Sequence, residues 1–260
     1  MRLTRVFFNG ELTPGSVVEL ARETASHLAK VLRARGGDEI VLFNGDGREF
    51  MGAIETVRGS RISAAIGAAR PVSRESPFAI TLVQCVPRGD RMDFIVQKAT
   101  ELGVARIVPV LSQRSVVRLD ESQAMSKQTH WQAVAISACE QCGRNRVPSV
   151  EVPRPLLSYL GELGSTPSAA GLIRLILEPD RPRQPQGGAR AGGAEIAIGP
   201  EGGFAPEELE AFELSSFAPV GLGPRILRTE TAAIAALVVL QARYGDMSDL
   251  SDEASRAADA

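Results

Sequence analysis

The chain is short of several things, and each shortage excludes something. It has 3 cysteines and 2 histidines in 260 residues. A structural zinc site takes about four such ligands at close spacing. Cys85, Cys139, Cys142, His27 and His130 do not offer it, so no metal is expected. Cys139 and Cys142 form a Cys-x-x-Cys, a pattern of metal and redox sites, but they lie on a helical stripe and read as small buried residues. No apolar run approaches the roughly 20 residues that span a bilayer, so no membrane is expected as a partner. The start, Met1-Arg2-Leu3-Thr4-Arg5, leads into a strand-like Val6-Phe7-Phe8 rather than a signal-peptide core. A cytoplasmic location is expected. There is no internal repeat, no Walker A loop and no Gly-x-Gly-x-x-Gly.

Nor is there a surplus of one charge: the formal net charge is -2. The distribution is uneven, however. The segment 246–260 carries Asp246, Asp249, Asp252, Glu253 and Asp259 against Arg256 alone. Without it the chain is mildly basic, a balance that permits RNA binding without demanding it.

What is present begins with strands. Runs at Arg5–Phe8, Ser16–Leu20, Glu39–Phe43, Glu49–Val57 and Arg61–Ile66 have strand character. Asn44-Gly45-Asp46-Gly47 is a hairpin-turn signal between two of them. A short helix is expected over Ala25–Ala34, with Leu28, Val31 and Leu32 on one face. Strands closing around one helix suggest a small barrel over 1–72. Pro71 to Pro77 is polar and proline-bounded, so 73–77 is placed as the linker.

From 78 to 245 the pattern alternates between strand and helix. Strands are expected at Phe78–Val86, Val104–Val110, Leu172–Leu177, Ala194–Ile198 and Phe217–Leu222. Helices are expected over Met92–Leu102, stopped by Gly103, and over Trp131–Cys142, Pro206–Phe212 and Glu230–Tyr244. Such alternation argues for an α/β fold with a mostly parallel sheet covered on both faces. The Pro/Gly/Arg-rich 178–193 reads as a flexible insertion, and 246–260 as a disordered acidic tail.

Two segments carry the candidate chemistry. Ile198-Gly199-Pro200-Glu201-Gly202-Gly203 follows one buried strand, and Leu222-Gly223-Pro224-Arg225-Ile226-Leu227-Arg228-Thr229-Glu230-Thr231-Ala232 follows another. Open α/β sheets bind ligands at the carboxyl ends of their strands. Glycines there let a ligand approach the backbone, and Leu222, Ile226 and Leu227 offer apolar surface to the faces of an adenine. Tight turns without a ligand use the same residues. Thr229 and Glu230 likewise suit an ordinary helix start, with Thr229 as N-cap. Glu140-Gln141-Cys142-Gly143-Arg144-Asn145-Arg146 ends the Trp131 helix, with Gly143 as its cap and Arg144 and Arg146 suited to phosphate or base contacts. They equally suit the dipole of a helix end. Arg88 and Arg91 on a strand-to-helix loop, and Lys30 and Arg33 near His27, are further candidates for RNA contact. Lys98 and Glu101 form an i,i+3 pair.

Together these segments, with His27-Leu28-x-x-Val31-Leu32-Arg33 and Met92-Asp93-x-x-x-x-Lys98-Ala99-Thr100-Glu101-Leu102-Gly103-Val104, resemble the bacterial 16S ribosomal RNA uridine-N3 methyltransferases of the SPOUT superfamily. The resemblance spans most of the chain. It implies a PUA-like N-terminal barrel for RNA and a C-terminal domain threaded as a trefoil knot, which sequence reasoning alone excludes as rare. It implies S-adenosylmethionine as donor, a homodimer, and a uridine of the 30S decoding region as target. The donor is then expected against Leu177, Ile198, Gly199, Pro200, Glu201, Gly202, Gly203, Leu222, Gly223, Arg225, Ile226, Leu227 and Thr231. Arg144 or Arg228 is expected to stabilise the uridine oxyanion, and Glu230 or Glu201 to accept the proton. A knotted methyltransferase of another RNA, such as tRNA, and a non-catalytic RNA-binding protein are the alternatives.

Overall fold

The computed structural model describes residues 3–30, 32–59, 61–164, 171–178 and 192–247. Most of the 178–193 insertion and of the 246–260 tail lies outside them, as does Val31. The chain forms two compact units, Met1–Glu75 with Ile136–Val147, and Ser76–Ala135 with Pro148–Ala260.

The first unit contains β1 (Thr4–Phe7), β2 (Val17–Glu19), α1 (Arg22–Lys30), β3 (Glu39–Phe43), β4 (Glu49–Arg58) and β5 (Arg61–Arg70). The sheet runs in the order β1-β3-β4-β5-β2, with β1 parallel to β3 and the other pairs antiparallel. Among the described residues the ladder is an open path rather than a hydrogen-bonded ring. One core nevertheless draws Val6, Leu42, Phe50, Ile54 and Ile62 from the sheet and Leu28 from α1. The described helix ends at Lys30, residues 32–34 lie outside any helix although Ala34 was the expected end, and Arg33 sits in the left-handed region at φ 52°.

Residues 136–147 join this unit through polar contacts that no local pattern reveals. Arg5 Nη1 donates to Glu49 at 2.8 Å, and its Nη2 donates to Asn145 Oδ1 at 2.6 Å. Asn145 Nδ2 donates to the Val72 carbonyl at 2.7 Å, and Glu140 accepts from the Phe7 N–H at 2.9 Å. Cys139 is buried, and the Cys142 thiol together with burial pushes its own thiol far upward. It therefore stays protonated and packs as a small apolar residue, which disfavours redox chemistry.

The second unit begins with β6 (Ala79–Cys85), α2 (Arg91–Glu101), β7 (Arg106–Leu111) and α3 (Glu121–Cys142). The last residues of α3 belong to the first unit. There follow the short β8 (Ser149–Val150) and β9 (Arg154–Pro155), then α4 (Leu156–Gly164), β10 (Leu172–Leu177), β11 (Gly193–Ile198), α5 (Pro206–Leu214), β12 (Ala218–Val220) and α6 (Thr229–Tyr244). The sheet order is β12-β10-β11-β6-β7-β8, with β9 also on β7, and every pair is parallel. β11 is buried along its whole length, as a strand covered on both faces must be. One core, on the α4 and α5 side, gathers Val83, Val108, Ile176 and Ala197 against Leu156, Tyr159 and Phe212.

The start of α5 shows how the sequence builds these turns. Pro206 occupies the first helical turn, and Glu208 reaches back to accept the Ala205 N–H at 2.8 Å. Its other oxygen accepts the Gln113 N–H at 2.7 Å, so one buried carboxylate closes both the helix end and the loop after β7. Glu195 in β11 is also buried, held by Arg174 at 2.8 Å, Arg106 at 3.2 Å and the Tyr159 hydroxyl at 3.1 Å. No helix among the described residues is long and apolar enough to cross a membrane.

Candidate functional site

The carboxyl ends of β10, β11 and β12 open onto one cavity of about 280 Å³. The loop after β11 supplies Gly199, Pro200, Glu201 and Gly203, and the loop after β12 supplies Leu222, Gly223, Arg225, Ile226 and Leu227. Leu177 and Ile198 line it from the strand ends. The structure therefore brings together nearly all residues expected at the donor. Gly202 and Thr231 are the exceptions: both are exposed, and neither lines the cavity. Besides Arg228, three lining residues were not among those expected at the donor: Phe204, and Thr229 and Ala232 of the second segment. Phe204 carries a signal in hindsight, as a large aromatic placed directly after glycines.

Geometry favours glycine at two positions. A Cβ on Gly199 would stand 3.0 Å from Cε2 of the Phe204 ring, closer than side chains normally pack. Gly223 sits at φ 106°, a conformation side chains rarely adopt. Both loops are thus pinned in shapes that glycine allows.

Thr229 does not act as the expected N-cap. Arg228 holds that position, and Thr229 lies inside the helix with its side chain turned to the loops. Its hydroxyl donates to the Gly199 carbonyl at 2.9 Å and accepts from Gln84 Nε2 at 2.9 Å. Gln84 is fully buried at the end of β6, and its Oε1 has no partner among the described residues. The sequence signal was a glutamine inside an otherwise apolar strand.

Charge gathers at the mouth. Arg91, the first residue of α2, donates to Glu201 of the β11 loop. Its Nε is 4.0 Å from Oε1 of Glu230 in the first turn of α6. Glu230 Oε2 is buried with no partner among the described residues. Arg114 donates to the Gly202 carbonyl at 3.1 Å, fixing the same loop from outside. Arg225 and Arg228 line the cavity and are exposed.

The other predicted residues lie elsewhere. Arg144 is buried in the first unit, where Nε and Nη2 donate to Glu75 at 3.0 and 2.6 Å. Arg146, Lys30 and Arg33 are exposed on that unit, and Arg88 is exposed before α2. Lys98 pairs with Glu101 at 2.8 Å as the spacing predicts.

A family model described as an RNA methyltransferase domain matches residues 74–241. The chain belongs to this family. An RNA methyltransferase PUA domain matches residues 20–66, within the first unit. The chain is 33% identical to the ribosomal RNA small subunit methyltransferase E of Buchnera aphidicola over 95% of its own length and 99% of that protein's. Among solved structures, the ribosomal RNA small subunit methyltransferase E of Neisseria gonorrhoeae bound to S-adenosylmethionine is 37% identical, with a TM-score of 0.87 over 95% of this chain and 100% of the other. A Legionella pneumophila methyltransferase in complex with S-adenosylmethionine is 39% identical with a TM-score of 0.84, over the same shares. The two glycine loops thus lie in the methyltransferase domain of a two-domain member of this family.

Proposed function

We propose that the protein transfers the methyl group of S-adenosylmethionine to N3 of one uridine of 16S ribosomal RNA, within the 30S subunit, as a cytoplasmic homodimer whose methyltransferase domain carries the superfamily's trefoil knot. The observation that carries this reading is the cavity between the two glycine loops. Its size lies near the lower end of the roughly 300–1,000 Å³ of small-molecule sites. Apolar side chains and turn backbone line it, which suits an adenine held by its faces and edge. The relatives described as binding S-adenosylmethionine support the same donor.

When bound, the donor supplies an electrophilic methyl group on a sulfonium. The rest falls to the protein. Uridine N3 is a nucleophile only after losing its imide proton, so the site must align N3 with the methyl group and favour the deprotonated base. Arg228, exposed at the cavity, is our candidate to stabilise charge that develops on the uridine oxygens. Arg144 is the weaker candidate because Glu75 engages its guanidinium. Glu230 offers a buried carboxylate oxygen without a partner among the described residues and is our candidate proton acceptor. N3 lies on the Watson–Crick edge, so the base must be presented unpaired. Arg88, Arg91, Arg146, Lys30 and Arg33 are the proposed RNA contacts, the last three on the unit that holds the PUA domain.

The test is methyl transfer from labelled donor to 30S particles from a strain lacking the enzyme, followed by nucleoside analysis. Labelled 3-methyluridine in 16S RNA is the expected product. Label in tRNA alone identifies a methyltransferase of another RNA, and no transfer with no donor binding identifies a non-catalytic RNA-binding protein. Either overturns the proposal.

A further inference from the structure

We propose that Gln84 is a positioning residue for the donor: its buried amide sets the direction of the Thr229 hydroxyl, so that the hydroxyl proton goes to the Gly199 carbonyl and the loop after β11 keeps its binding shape. The inference rests on donor binding at the glycine loops, and not on which RNA is methylated.

Gln84 is the penultimate residue of β6, fully buried, with Ile198 of β11 and Pro109 of β7 beside it in the sheet. Its amide nitrogen donates twice, to the Cys85 carbonyl and to Thr229 Oγ1, each at 2.9 Å. The bond to Cys85 decides which end of the amide faces Thr229. An amide oxygen turned into that place would stand 2.9 Å from a carbonyl oxygen, and two acceptors repel. The nitrogen therefore stays there, and Oε1 is left buried without a partner among the described residues. A buried acceptor without a donor costs stability, and an apolar side chain in the strand would avoid that cost. What the glutamine supplies in return is the pair of donations from its nitrogen.

The bond to Thr229 sets a direction. The amide nitrogen can only donate, so Thr229 Oγ1 accepts from it and turns its own proton to the Gly199 carbonyl, which can only accept. That carbonyl is the only hydrogen-bonding group of the peptide that opens the loop, because Pro200 has no N–H. One peptide further on, the Pro200 carbonyl accepts the Gly203 N–H at 2.9 Å and closes the turn. Gly199, Pro200, Gly203 and Thr229 all line the cavity, and Gln84 stands behind them. It acts on the donor through Thr229.

The test measures Kd for S-adenosylmethionine by calorimetry in the parent protein, Q84E, Q84M, T229V, Q84E/T229V and Q84M/T229V, with folding checked by circular dichroism. Q84E keeps the shape of the side chain, but an ionised carboxylate only accepts. It draws the Thr229 proton away from Gly199, and Kd at pH ~8 is expected to rise about tenfold or more, as for a carbonyl that loses its donor. As pH falls, the introduced carboxyl, its pKa raised by burial, takes up a proton and regains one donor, and Kd returns toward the parent's. Q84M leaves the hydroxyl undirected and is expected to raise Kd about threefold to tenfold, with no such pH dependence. The charged groups on the surrounding elements are Arg228 and Glu230 beside Thr229 at the start of α6, Glu201 in the β11 loop, and Glu208 of α5, whose charge acts on the Cys85 thiol. Burial keeps that thiol protonated. All of them are present in the parent, whose own pH profile is the baseline. In the T229V background neither substitution of Gln84 changes Kd further, because Gln84 acts through the hydroxyl. Losses that add to that of T229V, a Q84E Kd equal to the parent's at pH ~8, or a Q84E offset constant with pH make Gln84 a packing residue and overturn the inference. If Q84E does not fold, the cycle of Q84M with T229V decides by itself. A parent protein that binds no S-adenosylmethionine fails at the earlier step and defeats the donor reading itself.

Discussion

The Thr229 hydroxyl donates to the Gly199 carbonyl at 2.9 Å while accepting from the Gln84 amide at 2.9 Å. One side chain so ties the start of α6 to the ends of β11 and β6, and the two glycine loops are held to a common frame. Thr229→Val keeps the shape and deletes the hydroxyl. It takes the hydroxyl donor from the half-buried Gly199 carbonyl and leaves Gln84 Nε2 with the Cys85 carbonyl alone, at a cost of about 1–3 kcal/mol. We expect a lower melting temperature and at least tenfold weaker donor binding by calorimetry, with both largely restored in Thr229→Ser. Unchanged affinity in the valine variant would show that the loops hold their shape without it.

The glycines make a sharper demand on the same cavity. Gly223→Ala forces a side chain to φ 106°, at about 1–3 kcal/mol. Gly199→Ala drives a methyl group to 3.0 Å from Phe204. That ring packs edge-on against Phe212, with centroids 4.8 Å apart, so the little it must yield is taken from the cavity it lines. Both variants are expected to fold, with donor Kd raised by one to two orders of magnitude. Gly15→Ala is the control: its φ is also positive, at 87°, and nothing lies within 4 Å of the added Cβ. It should pay the backbone strain and leave donor affinity alone.

These contacts also show what a sequence can and cannot disclose. The glycine loops were legible because strand, turn and helix each leave a local pattern. The use of Thr229 was not, because capping and tertiary hydrogen bonding recruit the same hydroxyl. Arg144 read as a projecting cation at a helix end, yet it turns inward to Glu75, 69 residues away. Nothing local encodes such a pairing. The first half of α3 went unread because Glu121–His130 is nearly all solvated and shows no apolar stripe. The helix α4 was hidden by Gly161 and Gly164 within nine residues, and only packing of Leu156, Tyr159 and Leu160 on the sheet secures it.

The buried Glu195 cluster predicts a stability effect separate from the cavity. Arg174 and Glu195 are 9% and 5% exposed, and the same carboxylate holds Arg106 and Tyr159. Burial, then the Glu195 charge, pushes the Tyr159 phenol well above its usual range, so it remains a donor. Glu195→Gln leaves buried guanidinium charge without its counter-ion. Loss of one partner from a buried pair costs about 3–5 kcal/mol. Urea unfolding should show that loss, and a change below about 1 kcal/mol would mean water reaches Arg174.

Glu140 gives a prediction in pH. Burial raises its carboxyl above the ordinary range, against the lowering effect of the Phe7 N–H and the charges of His27 and Arg5. A carboxyl whose folded value is raised binds its proton more tightly folded than unfolded. Its contribution to stability is therefore full below the unfolded value, near 4.3, and falls as pH climbs through the folded value. Glu140→Gln removes the titration, while its carbonyl oxygen can still accept from Phe7 N–H at the 2.9 Å now observed. The difference in unfolding free energy, variant minus parent, should therefore move in the variant's favour from pH 4 upward and level off once the folded group is ionised. A difference that stays flat with pH would mean the neighbouring donor and cations offset burial, and one that moves the other way that they outweigh it.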